Sequence, residues 1–117
     1  MDFEYNGNLL EDDRINLVAN EIVKKYPQVS FEKAKEAAML EGKISAPKTL
    51  IDELNRLYNI MLVSNDNKNL VTVIYKDFLH LLSDSHFDVT SDRYIYVAYG
   101  ISNYLENNME FPYLDEY

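Results

Sequence analysis

Apolar residues recur at three- and four-residue intervals over five stretches of this chain, the spacing that lines one face of an α-helix. The first stretch runs from Leu10, with Ile15, Val18, Ala19, Ile22 and Tyr26 on one face. Glu11, Asp12 and Asp13 fall in its first turn, where carboxylates favour the positive end of the helix dipole. Lys24 and Lys25 fall in its last turn, and Pro27 stops it. The nine residues before it, with the turn-forming Asn6-Gly7-Asn8, read as an irregular arm over 1–9. Ser30 then reads as the cap of a second helix, Phe31 to Glu41, with Gly42 as its left-handed stop. Its stripe is Phe31, Ala34, Ala38 and Leu40, and Ala37 and Ala38 permit a neighbour to approach closely. After Lys43–Pro47, with Pro47 in the first turn, a third helix carries Leu50, Leu54, Leu57, Tyr58 and Met61 inward. Asp52, Glu53 and Arg56 face water in that reading.

The next stretch has two readings. Leu70-Val71-Thr72-Val73-Ile74-Tyr75 is rich in β-branched residues and could pair with Ile60–Val63 across the polar Ser64–Asn69 turn. That pairing would make an α+β fold with a hairpin near 60–75. The apolar spacing does not stop at Tyr75, however. Leu70, Ile74, Phe78 and Leu81 share one helical face, with Val71 and Leu82 beside it, so a helix over 70–82 accounts for more residues. Thr90 or Ser91 caps a last helix through Tyr94, Ala98, Ile101 and Leu105 to about Asn107. Pro112 bars a helix across the tail, 108–117, which mixes acids with large apolar groups. The expectation is a mainly α, compact single-domain bundle of about five helices over 1–117.

Composition narrows the functional classes. At 117 residues and 47% hydrophobic, the chain can build one core without staples. The absence of cysteine removes disulfides, thiolate catalysis and cysteine zinc sites, and it fits a reducing cytoplasm. No apolar run approaches the roughly 20 residues of a membrane span. The acidic start, Met1-Asp2-Phe3-Glu4-Tyr5, is unlike a secretory signal. A cytoplasmic protein without a membrane is the expectation. Ten tyrosines and no tryptophan leave open which rings are core and which are interface.

Catalytic and cofactor chemistry finds little material. His80 sits inside the apolar run Phe78–Leu82, and His86 lies in Asp84-Ser85-His86-Phe87-Asp88, which matches neither a calcium loop nor a zinc set. Gly7, Gly42 and Gly100 are isolated, so no phosphate-cradling loop exists. No enzyme, no cofactor and no metal is expected.

Charge is segregated along the chain. Residues 1–13 hold five acids and no Lys or Arg. Residues 14–76 hold ten basic residues against seven acids, and residues 77–117 hold eight acids against Arg93 alone. The middle suggests a helix-turn-helix DNA-binding regulator using segment 24–56, with Lys24, Lys25, Lys33, Lys35, Lys43, Lys48 and Arg56 as its phosphate contacts. Against it stand the net charge of −9, which repels a polyanion everywhere else, and Asp52 and Glu53 on the would-be reading helix.

The acidic C-terminal third suggests a different partner. Acids interleaved with aromatic rings can dock on a basic groove, with charge steering the encounter and rings anchoring it. The residues placed in that surface are Asp84, Asp88, Asp92, Tyr96, Tyr99, Glu106, Glu110, Tyr113, Asp115, Glu116 and Tyr117. In size and composition, though in no motif, the chain resembles immunity proteins, antitoxins and phage-encoded inhibitors of host nucleases. The resemblance implies a stoichiometric inhibitor or neutraliser that mimics a polyanion on a nucleic-acid-handling protein. A homodimer through the tyrosine-rich last helix and tail is the further expectation.

Overall fold

The computed structural model describes residues 2–41, 49–84 and 92–113, with the side chains of 2–11 and of Asp92 left out of the description. Five helices follow in order: α1 Asp2–Lys25, α2 Phe31–Leu40, α3 Leu50–Val63, α4 Lys68–Asp84 and α5 Asp92–Asn107. No strand occurs among the described residues. Helices adjacent in sequence pack against each other, α1 on α2, α2 on α3, α3 on α4 and α4 on α5. Their buried faces merge into one core that includes Val18, Ile22, Leu54, Ile60, Met61, Ile74, Phe78, Val97 and Ile101.

The hairpin reading of 60–75 is not realised, and the cause is local as well as periodic. Asn67 accepts the Leu70 N–H on its Oδ1 at 3.1 Å and the Val71 N–H on its carbonyl at 3.0 Å. It thereby starts α4 with a side-chain cap. Thr72 then donates its hydroxyl back to the Lys68 carbonyl at 2.8 Å, which suits a β-branched hydroxyl inside a helix. Leu70, Val71, Ile74, Phe78 and Leu82 all reach the core. A strand would send Val71 and Ile74 to opposite faces.

Four local expectations are corrected. The arm at 1–9 is helical backbone from Asp2 onward. Asn6, Gly7 and Asn8 are poor helix formers, but extending an existing helix adds one bond per residue without a new nucleus. Glu11, Asp12 and Asp13 consequently lie inside α1 rather than in its first turn. On α2 the stripe is Ala34, Ala37 and Ala38, all fully buried, whereas Phe31 and Leu40 are exposed. Small side chains bring α2 close to α1, and the buried Arg14 Nη1 donates to the Ala38 carbonyl at 3.1 Å. The start of α3 belongs to Thr49, whose Oγ1 accepts from Asp52 N at 3.1 Å; Pro47 lies outside the described residues, as do Thr90 and Ser91. Arg56 does not face water. Its Nε and Nη2 grip both oxygens of Glu41 at 2.7 and 3.0 Å, and Nη1 reaches Glu21 at 2.9 Å.

Among the described residues, five tyrosines are pins between elements. Tyr26 donates to Asp77 Oδ2 at 2.5 Å, Tyr58 to the Pro112 carbonyl at 2.8 Å and Tyr75 to the Ala98 carbonyl at 2.7 Å. Tyr94 donates to Asn55 Oδ1 at 2.8 Å, and Tyr104 donates to the Asn65 carbonyl. Burial raises the pKa of Tyr26, Tyr75, Tyr94 and Tyr104, with the Asp77 carboxylate adding to the effect at Tyr26. The unfolded chain therefore releases these protons first, at the ordinary tyrosine value of about 10. Stability is complete below that pH and is lost as pH rises beyond it toward the folded values. A pH series above 9 should show tyrosinate absorbance at 295 nm and loss of helical circular dichroism rising together for these rings. Complete ionisation of all tyrosines on an intact helical spectrum would contradict it.

Candidate docking surface

Within α5 the spacing sorts side chains onto two faces. Tyr94, Val97, Ala98, Ile101 and Tyr104 are buried, while Tyr96, Tyr99, Asn103 and Glu106 fall on the outward side. Tyr96 is 53% exposed and Tyr99 is 66% exposed. Glu106 accepts the Ser102 hydroxyl at 2.9 Å one turn earlier.

Asn108 ends the helix with φ 56°, the left-handed conformation that asparagine tolerates better than most residues. Met109 N then bonds the Asn103 carbonyl at 3.3 Å, and residues 108–113 follow as a strap with neither helix nor strand. Phe111 is the wedge that holds it. Its ring lies 5.8 Å from Tyr58 and meets Tyr104 edge-on at 5.2 Å, a favourable aromatic geometry. Pro112 is buried beside it and takes the Tyr58 hydrogen bond. Residues on either side of this wedge are turned outward: Met109 is 57% exposed, Tyr113 is 44% exposed, and Glu110 is exposed too.

Two clefts meet at Tyr113. The larger, about 370 Å³, lies among Leu40, Asp52, Asn55, Asn59, Leu62, Arg93 and Tyr113. The smaller, about 260 Å³, separates α5 from the strap and is lined by Gly100, Asn103, Met109, Glu110 and Tyr113, with Phe111 and Pro112 behind. Compared with known proteins, the chain matches no family model, no curated protein and no solved structure. The surface is therefore read from its own chemistry.

Of the residues placed in the docking surface by sequence, Glu110 and Tyr113 share the smaller cleft. Tyr96, Tyr99 and Glu106 continue from it along α5. Asp84 lies at the end of α4 opposite Lys68, the residue that bonds Asn108 at the start of the strap. Asp84 is exposed and 3.5 Å from His80, which is also exposed. Asp92 opens α5, and its side chain is not described; Asp88, Asp115, Glu116 and Tyr117, like His86, lie outside the described residues. Gly100, Asn103 and Met109 were not singled out by sequence. The one signal for them was a glycine inside an otherwise regular helical pattern.

The basic middle presents a different picture from the one its sequence suggests. Arg56 is neutralised by two carboxylates, Lys25 lies over the Tyr26 ring at 5.5 Å and Lys35 over the Phe31 ring at 5.8 Å. α2 ends at Leu40 and α3 begins at Leu50. Among the described residues, no group of three His, Asp or Glu could hold a metal, and no helix is long and apolar enough to cross a membrane.

Proposed function

We propose that this chain works by binding another protein, as a stoichiometric inhibitor or neutraliser that presses the α5–strap surface onto a basic groove of a nucleic-acid-handling protein. The observation that carries this reading is the exposure of Tyr96, Tyr99 and Tyr113 beside Glu106 and Glu110 on a surface braced from below by Phe111. Tyrosine has two side-chain torsions, so it contributes contact area at small entropic cost, and a braced strap lowers that cost further. The carboxylates supply steering toward a basic partner, helped by the overall −9. Exposed rings contribute nothing to solubility, which the surrounding charges already provide.

The test is affinity capture with the full tagged chain from lysate of its source cells, at low and high salt, with duplex DNA as competitor. A single protein should be held at equal stoichiometry, released by salt and by DNA, and lost when Tyr99→Ala and Tyr113→Ala are combined. Lys33→Glu with Lys35→Glu should leave capture intact. Loss of capture through the lysine changes alone, or a DNA gel shift by the chain itself, would contradict the reading.

A further inference from the structure

Resting on the docking reading, we infer that the groove between α5 and the strap receives an arginine side chain of the basic partner. Gly100 lines it from α5, where any other residue would place a Cβ. Glycine is less favourable than alanine inside a helix. At this position the missing Cβ leaves helix backbone open to an incoming group. Met109 and Tyr113 line it as well, both exposed, one a flexible thioether and the other a flat ring. Arginine matches both parts: its methylene stem runs along methionine, and its guanidinium plane stacks on tyrosine. Glu110 adds a carboxylate with no hydrogen-bond or ion-pair partner among the described residues. A guanidinium can bind such a group through two parallel N–H bonds, which a lysine ammonium cannot do. The groove therefore discriminates between the two basic side chains, whereas general acidity does not.

The test titrates the full ¹⁵N-labelled chain with a hexapeptide alternating arginine and glycine, and with its lysine counterpart, at low salt. The Gly100 amide and the Met109 methyl signal report the groove. The arginine peptide should shift both and bind about tenfold tighter than the lysine peptide, the worth of one charge-assisted fork. Glu110→Gln should erase that preference. Gly100→Ala should raise the melting temperature, because alanine is the better helix former, while removing the arginine-specific shifts. Equal binding of both peptides, or no shift at Gly100, overturns the groove assignment. A Gly100→Ala variant that loses stability overturns it as well, because the glycine is then a packing residue for the strap. These outcomes are separable from failure of the docking reading, which is judged by capture of the partner.

Discussion

Arg56→Ala is expected to destabilise the fold by about 3–5 kcal/mol, the cost of stranding a buried charge after its partner is removed. The Glu41 side chain is 3% exposed and the Arg56 side chain 13% exposed, so water cannot replace the lost contacts. Burial alone lowers the pKa of the Arg56 guanidinium. The hydrogen bonds and charge of Glu41, and then those of Glu21, outweigh burial and raise it. Arg56 thus ties α3 both to Glu41 at the end of α2 and to Glu21 on α1. The loss is large against the 5–15 kcal/mol of a typical domain and corresponds to a melting-temperature fall of about 10–20 °C. Urea unfolding followed by circular dichroism measures it. Pairing Arg56→Met with Glu41→Leu should recover much of the loss, since an apolar pair leaves no stranded charge. An Arg56→Ala variant within about 1 kcal/mol of the parent would mean that the knot is solvated, not buried.

Phe111→Ala has the largest expected effect on binding. Phe111 is 4% exposed between two tyrosine rings, and its removal costs about 3 kcal/mol, toward the lower end for a buried phenylalanine because it sits at the edge of the core. The helices should persist, since their own faces are untouched. The strap should not stay docked, leaving the buried Tyr58 hydroxyl without the Pro112 carbonyl. Amide exchange at Met109, Glu110 and Tyr113 should accelerate, and partner affinity should fall at least about tenfold as braced contacts become flexible ones. Tyr58→Phe is the calibrating variant, because it removes one hydrogen bond, worth about 1 kcal/mol, and keeps the wedge. Unchanged affinity in Phe111→Ala would show that the strap is not part of the docking surface.

How much of this was legible beforehand differs from element to element. The inward faces of α1 and α3 were readable because residues three and four apart share a face whatever surrounds the helix. Ser30 was readable for a similar reason, as its hydroxyl accepts from Lys33 N at 3.1 Å within the same turn. The α4 segment was harder, because β-branched residues suit strands; the persistence of the 3.6-residue period through Leu82 and the Asn67 cap decide it. On α2 the pattern misled. Phe31 and Leu40 are the most apolar positions there, but only alanines are small enough for the close contact with α1.

The proposed docking surface was legible only as a mixture of acids and rings in the last third of the chain. Asp84 and Glu110 look alike as letters, and nothing local says that one closes α4 beside His80 while the other borders a groove. The tyrosines make the same point. Tyr94 and Tyr96 are two residues apart, yet one is a buried pin and the other is open to solvent. Helical period distinguishes them, whereas only the packed molecule shows that Tyr94 finds Asn55. Arg56, solvent-facing by its place on the helix wheel, is claimed by carboxylates 15 and 35 residues earlier.

Helix identity and the inward faces of α1, α3 and α4 are thus properties of the chain alone, because each depends on residues within one or two turns. The inward face of α2 is instead selected by its contact with α1. The strap, the arginine knot and the exposed tyrosine surface belong to the tertiary structure. Their contacts span up to 54 residues, as between Tyr58 and Pro112, and exist only once the core has set the helices side by side. Charge segregation, visible from the outset in the letters, sets the last third of the chain apart from the rest. Which of its groups stand together is settled by packing, since a side chain's neighbours across space are chosen by the core it helps to close.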